Sequence, residues 1–110
     1  MIDINNNFNE EVLNNKGLTI VDFWAPWCGP CKIFGPIFEE ASEDLKSVKF
    51  CKLNVDLNHD IAKENGVMSI PTIILFKDGK ELKRHIGLLD YEELKKFITE
   101  LNPKSWTVYK

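Results

Sequence analysis

Two cysteines three residues apart, Cys28 and Cys31, are the side chains whose type and spacing could do chemistry. They stand in Trp24-Ala25-Pro26-Trp27-Cys28-Gly29-Pro30-Cys31-Lys32, between an apolar run and an amphipathic stretch, which predicts a strand-to-helix turn. A helix N-terminus offers free N–H groups and the positive end of the macrodipole. Both stabilise a thiolate, the species that attacks a disulfide. Spacing i to i+3 puts the two sulfurs on one side of the first turn. Cys28 is then expected to be an exposed attacking thiolate. Cys31 is expected to be a shielded resolver that attacks the mixed disulfide formed at Cys28. Pro30 suits and stiffens the first helical turn. The expected chemistry is disulfide exchange with other proteins. Two other readings stand beside it: chance proximity of two inert thiols, or half of a zinc site. Zinc needs two further ligands, and Cys51, His59 and His85 are scattered singly along the chain.

Alternating strands and helices must position this turn. Residues 2–4 read as a weak first strand. Asn7 and Glu10 resemble a capping box for a helix whose apolar face holds Phe8, Val12 and Leu13, stopped by Gly17. Residues 18–24 are nearly all apolar and read as a strand buried on both faces. A helix over 31–46 follows, with Phe34, Ile37, Phe38, Ala41 and Leu45 inward and a kink expected at Gly35-Pro36. Residues 48–55 read as a strand, 58–65 as a short helix ended by Gly66, and 72–76 as a strand entered through Ile70-Pro71. Asp78-Gly79 signals a two-residue hairpin into an edge strand over 81–86. Asp90 and Glu93 form a second capping box, before a helix with Leu94, Phe97, Ile98 and Leu101 inward. The early crossovers imply parallel strands and the hairpin one antiparallel pair: an α/β fold with a mixed central sheet and helices on both faces.

Composition narrows the function classes. A chain of 110 residues suits one domain, 1–110, with residues 102–110 as a C-terminal tail in which Pro103 is followed by Trp106, Val108 and Tyr109. Hydrophobic residues make up 44% and charged residues 28%, enough to bury a core without staples. Fourteen basic against seventeen acidic residues leave a net charge of −3, which argues against nucleic acid as a partner. The longest uncharged apolar stretch is far too short to span a bilayer, and the first residues carry no basic start or apolar core of a signal peptide. Three cysteines cannot all pair internally, so a reducing, cytoplasmic setting is expected.

Asp22 is the oddest residue, a lone carboxylate in the apolar run Thr19-Ile20-Val21-Asp22-Phe23-Trp24. A buried carboxylate is costly and its pKa should be raised. Cys51, flanked by core residues of a strand, is expected to be structural. His59 and His85 are expected at the surface.

The segment 24–31, ending Trp27-Cys28-Gly29-Pro30-Cys31, resembles the active-site signature of the thioredoxin family, and Ile70-Pro71-Thr72 resembles that family's cis-proline segment. The likeness runs from Ile2 to about Leu101 and includes Pro36 and the Asp78-Gly79 hairpin. It implies a thioredoxin fold: a five-stranded mixed sheet flanked by four helices. It implies a protein-disulfide reductase, with Gly29-Pro30 tilting the direction toward reduction. Asp22 matches the buried acid that takes a proton from Cys31, and Lys52 the lysine that modulates it. Pro71 would follow a cis peptide and bring the Ile70 backbone beside the sulfurs. Trp24 would support the active-site loop from below. Trp27, Val67, Met68, Ile70, Gly87 and Leu88 would form an apolar rim for client proteins. The implied partners are disulfide-containing clients and a thioredoxin reductase, a flavoprotein that draws on NADPH. The chain itself has no nucleotide motif, should need no cofactor or metal, and is expected to be a monomer. An isomerase or oxidase on the same fold, and a binding subunit with an incidental dithiol, remain open alternatives.

Overall fold

The computed structural model describes residues 1–100; the apolar tail residues noted above, and Leu101, lie outside them. The element order is β1 (Ile2–Asp3), a π-helical segment (Asn9–Leu13), β2 (Leu18–Trp24), α1 (Gly29–Asp44), β3 (Lys49–Asn54), α2 (His59–Glu64), β4 (Thr72–Lys77), β5 (Lys80–Ile86) and α3 (Tyr91–Thr99). The strands form one sheet in the order β1-β3-β2-β4-β5.

The central position of β2 explains its composition. It pairs in parallel with β3 and antiparallel with β4, so both edges are hydrogen-bonded and both faces are covered. Side chains alternate between the faces of a strand. Ile20 joins Phe34, Phe38, Leu94, Phe97 and Ile98 under α1 and α3. Val21 and Phe23 point the other way, into a second core with Phe8, Val12, Cys51, Leu53 and Ala62. The result is the expected three-layer mixed sheet.

Three local expectations changed. Among the described residues the four flanking helices are three α-helices and one five-residue π-helical segment. Its start lacks the expected box: Asn7 Oδ1 accepts from the Asn5 N–H at 2.7 Å, and Phe8 occupies the capping position without a side-chain bond. The side chain turned to the backbone before it rather than to the helix after it. The second change is in topology, since β4 runs antiparallel to β2 rather than returning parallel after α2. Thr72 lies opposite Phe23 and Lys77 opposite Leu18. The chain thus leaves β3 and re-enters the sheet at one end. Six residues of α2 rise only about 9 Å, so the excursion between β3 and β4 is out-and-back and does not carry the chain the length of the sheet. Third, α1 begins at Gly29, two residues before the expected start, and runs through Pro36 to Asp44.

Other local signals were met. Asp90 and Glu93 form a reciprocal capping box, with Glu93 N–H to Asp90 Oδ1 at 2.8 Å and Asp90 N–H to Glu93 Oε1 at 2.9 Å. Asp78 (φ 52°) and Gly79 (φ 80°) make the hairpin turn in the left-handed conformation it needs. Glycine is required at 79 for a second reason: a Cβ there would lie 2.0 Å from the Leu13 carbonyl oxygen. The hairpin therefore docks against the end of the π-helical segment. Asp78 fastens the same corner, accepting from the Gly17 N–H at 2.7 Å and donating to the Gly17 carbonyl at 2.9 Å.

Candidate active site

The turn between β2 and α1 places the two cysteines as their spacing implied. Cys28 is the N-cap of α1, Gly29 and Pro30 open the helix, and Cys31 stands in its first turn. Cys28 and Cys31 are joined in a disulfide, with Cα atoms 5.2 Å apart. The Cys31 N–H points at Cys28 Sγ over 3.2 Å. Once the bond is reduced, that orphan N–H and the helix dipole are positioned to stabilise a Cys28 thiolate. The expected contrast in exposure is absent from this oxidised form: Cys28 is 5% exposed and Cys31 4%. The physical reason lies in the surroundings, because Trp24, Ala25, Val55 and Ile70 pack around both residues together.

The rim approaches from three directions. Ile70 reaches the turn through a cis peptide with Pro71, and its carbonyl oxygen lies 3.8 Å from Cys28 Sγ. Gly87 N–H donates to the Pro71 carbonyl at 2.8 Å, which brings the segment 86–88 alongside. Gly87 has φ +103°, so its glycine is demanded by conformation; a Cβ there would meet nothing within 4 Å. Trp27 is 68% exposed, Met68 96% and Leu88 42%, a large apolar area around a buried disulfide. Trp27, Val67, Met68 and Ile70 also line an open cavity of about 950 Å³ between the active-site turn and α2.

Trp27 is held by a partner that the sequence reading missed. Its indole N–H donates to Asp56 Oδ2 at 2.9 Å. Nothing local in the sequence links residues 27 and 56. The contact exists because Val55 N–H bonds to the Trp24 carbonyl as β3 leaves the sheet beside β2.

Behind the turn lies the buried acid. Asp22 is 1% exposed, and among the described residues neither carboxyl oxygen has a hydrogen-bond partner. Burial pushes its pKa up to about 7, and the cation of Lys52 opposes part of that rise. Asp22 pairs across the sheet with Lys52 on β3 and Ile73 on β4. Two residues on from Ile20, it faces the α1 side of the sheet. The Lys52 ammonium lies 4.6 Å from the centre of the Trp24 ring, and 4.0 Å from where a Cβ at Gly35 of α1 would stand. Lys52 and Trp24 are thus brought together below the disulfide.

The candidate zinc ligands are not brought together. Cys51 sits in the second core, His59 is exposed at the start of α2, and His85 stacks edge-on against Phe97. Among the described residues no group of three or more His, Cys, Asp or Glu side chains could hold a metal. No helix of the described residues is long and apolar enough to cross a membrane.

The family model for thioredoxin matches residues 1–100. The chain belongs to the thioredoxin family. It is 45% identical over 89 residues to a thioredoxin of Mycoplasmoides gallisepticum, a match covering 81% of this chain and 89% of the relative. It is 46% identical to a thioredoxin of Chlamydia muridarum, covering 86% of this chain and 90% of the relative. A thioredoxin of Pseudomonas aeruginosa is 42% identical, over 83% of this chain and 85% of the relative. Together with the Cys28–Cys31 disulfide, these matches identify the protein as a thioredoxin-family thiol–disulfide oxidoreductase.

Proposed function

We propose that the protein reduces disulfides of client proteins, with unequal roles for its two cysteines, and that a thioredoxin reductase restores the dithiol. One observation carries the assignment of roles: Cys28 caps α1 with the Cys31 N–H aimed at its sulfur, while Asp22 lies buried, without a hydrogen-bond partner among the described residues, on the sheet face that α1 covers. The Cys28 thiolate attacks one client sulfur, forms a mixed disulfide and expels the other sulfur as a thiolate. Cys31 gives up its proton and attacks Cys28 Sγ, which releases the second client thiol and closes the Cys28–Cys31 bond. Two electrons have then passed to the client, and the reductase must return two. Asp22 receives the Cys31 proton; a carboxyl with a pKa of about 7 is matched to a base working near neutrality. Lys52 keeps part of the Asp22 population ionised.

Clients dock on the rim of Trp27, Val67, Met68, Ile70, Gly87 and Leu88. The Ile70 carbonyl, 3.8 Å from the sulfur, is available to an extended client strand. Pro71 presents it, Gly29 and Pro30 shape the turn, and Trp24 carries it from below. We read residues 1–110 as one domain acting as a monomer, since the edge strand β5 exposes Lys80 and Glu81, which discourage pairing with a second sheet. A reducing cytoplasm suits the buried, unpaired Cys51.

The test is reduction of a disulfide-linked protein in the presence of a reductant. Wild type should accelerate it, and Cys31→Ser should accumulate a mixed disulfide that peptide mapping assigns to Cys28. A trapped adduct on Cys51, or no acceleration, would overturn the assignment.

A further inference from the structure

Arg84 lies on β5, outside the active-site turn, yet it holds the base of the rim. Its Nε and Nη2 donate to Glu81 Oε2 and Oε1, each at 2.7 Å. Residues three apart on a regular strand face opposite sides. Here the β4–β5 register shifts: Leu75 pairs with Lys83 and Phe76 with Glu81, so Leu82 is an extra residue in a bulge. The bulge brings Glu81 and Arg84 to one face and fixes the guanidinium as a fork. The same Nη2 donates to the Asn65 carbonyl oxygen at 2.7 Å.

Asn65 closes α2, and the last carbonyls of a helix lack donors of their own. The chain then turns at Gly66 (φ +68°), beside the guanidinium, into the segment that carries Val67, Met68 and Ile70 to Cys28. At its far end the segment is joined to the end of β5 by the Gly87 N–H bond to the Pro71 carbonyl, and its remaining bonds are short-range. Gly66 N–H reaches Lys63, Val67 N–H reaches Ala62, and Thr72 Oγ1 donates to the Ser69 carbonyl. They shape the segment but do not tie its α2 end to the far edge of the sheet. Arg84 does.

We propose that Arg84 is a positioning residue for client recognition: by clamping the end of α2 to β5, it sets where Val67, Met68 and Ile70 stand relative to the disulfide. The inference rests on the reading of that rim as the client site. It concerns docking and leaves the sulfur chemistry untouched. Arginine is needed in full, because one planar group must satisfy a bidentate carboxylate and a carbonyl together, which a lysine ammonium cannot do.

The experiment compares a protein disulfide with hydroxyethyl disulfide, a small molecule that cannot span the rim. Wild type, Arg84→Met and Arg84→Lys are assayed on both. The clamp predicts that Arg84→Met raises KM for the protein disulfide three- to tenfold at nearly constant kcat. Its rate with hydroxyethyl disulfide should stay within twofold of wild type, and Arg84→Lys should fall between. An equal loss on both disulfides, the mark of a general fold defect, would overturn the proposal. So would unchanged protein reduction by Arg84→Met. Wild type that reduces hydroxyethyl disulfide but not the protein would remove the client-rim reading itself, and the clamp with it.

Discussion

The protein holds two kinds of buried sulfur, and burial does not tell them apart. Cys28 and Cys31 are 5% and 4% exposed; Cys51 is 0% exposed. Cys51 lies on β3 between β1 and β2, with its side chain among Val21, Phe23 and Leu53. Burial pushes its thiol up to about 11, so at neutral pH it carries almost no thiolate and packs as a small apolar group. Cys28 is as enclosed, but it ends at a helix start with an N–H aimed at its sulfur and a rim open beside it. A thiol becomes a nucleophile through the dipoles and donors around it; area exposed is a poor guide.

The largest effect expected from this contrast is that Cys28→Ser abolishes disulfide exchange, by more than about a thousandfold, whereas Cys51→Ala leaves the rate within about twofold. Assays of both variants on one client check this, and a Cys51 variant that lost exchange would erase the distinction.

Next in size is Asp22. Its folded pKa of about 7 is above the ordinary 3.8. The folded state therefore binds this proton more tightly than the unfolded chain does. That contribution favours folding at low pH and is lost as pH rises from about 4 to about 7. Above that range an ionised Asp22 costs up to about 4 kcal/mol, three units at about 1.4 each. Asp22→Asn should raise the melting temperature at pH 8 and leave it nearly unchanged at pH 3, while slowing the Cys31 step roughly ten- to a hundredfold. Thermal melts across pH and single-turnover kinetics are the measurements; equal stabilisation at both pH values would show that burial of the charge is not the cause.

Cys51→Ala should destabilise the fold by about 1–2 kcal/mol through the small void it leaves, read as a shift in denaturant midpoint without loss of activity. The smallest effect concerns Lys52. Removing its cation in Lys52→Met should move the Asp22-dependent step in the pH–rate profile upward, because the charge that lowers that pKa is gone. A step that moved downward would contradict this electrostatic assignment.

Most of the frame was legible because its signals are local. Period-two and helical apolar patterns, the Asp90–Glu93 box, the Asp78-Gly79 turn and the Cys28–Cys31 spacing each involve residues within a few positions of one another, where chain geometry alone dictates the outcome. The Asn7 box failed at the same range, since a short polar side chain can bond backward as readily as forward. The direction of β4 was hidden because the length of an excursion is not written in the pattern of the strands it joins.

What the sequence by itself determined is the dithiol, its place at a helix start, and the lone acid in a buried strand. Residue pattern alone gave none of the partners: the family resemblance implied the Ile70 backbone beside Cys28 and Lys52 near Asp22, and only the tertiary structure decided Asp56 under Trp27 and Arg84 on the end of α2. Each of these joins residues between nineteen and forty-two positions apart. Such pairs are chosen by strand order, register and bulges, which many distant residues set together through the two cores.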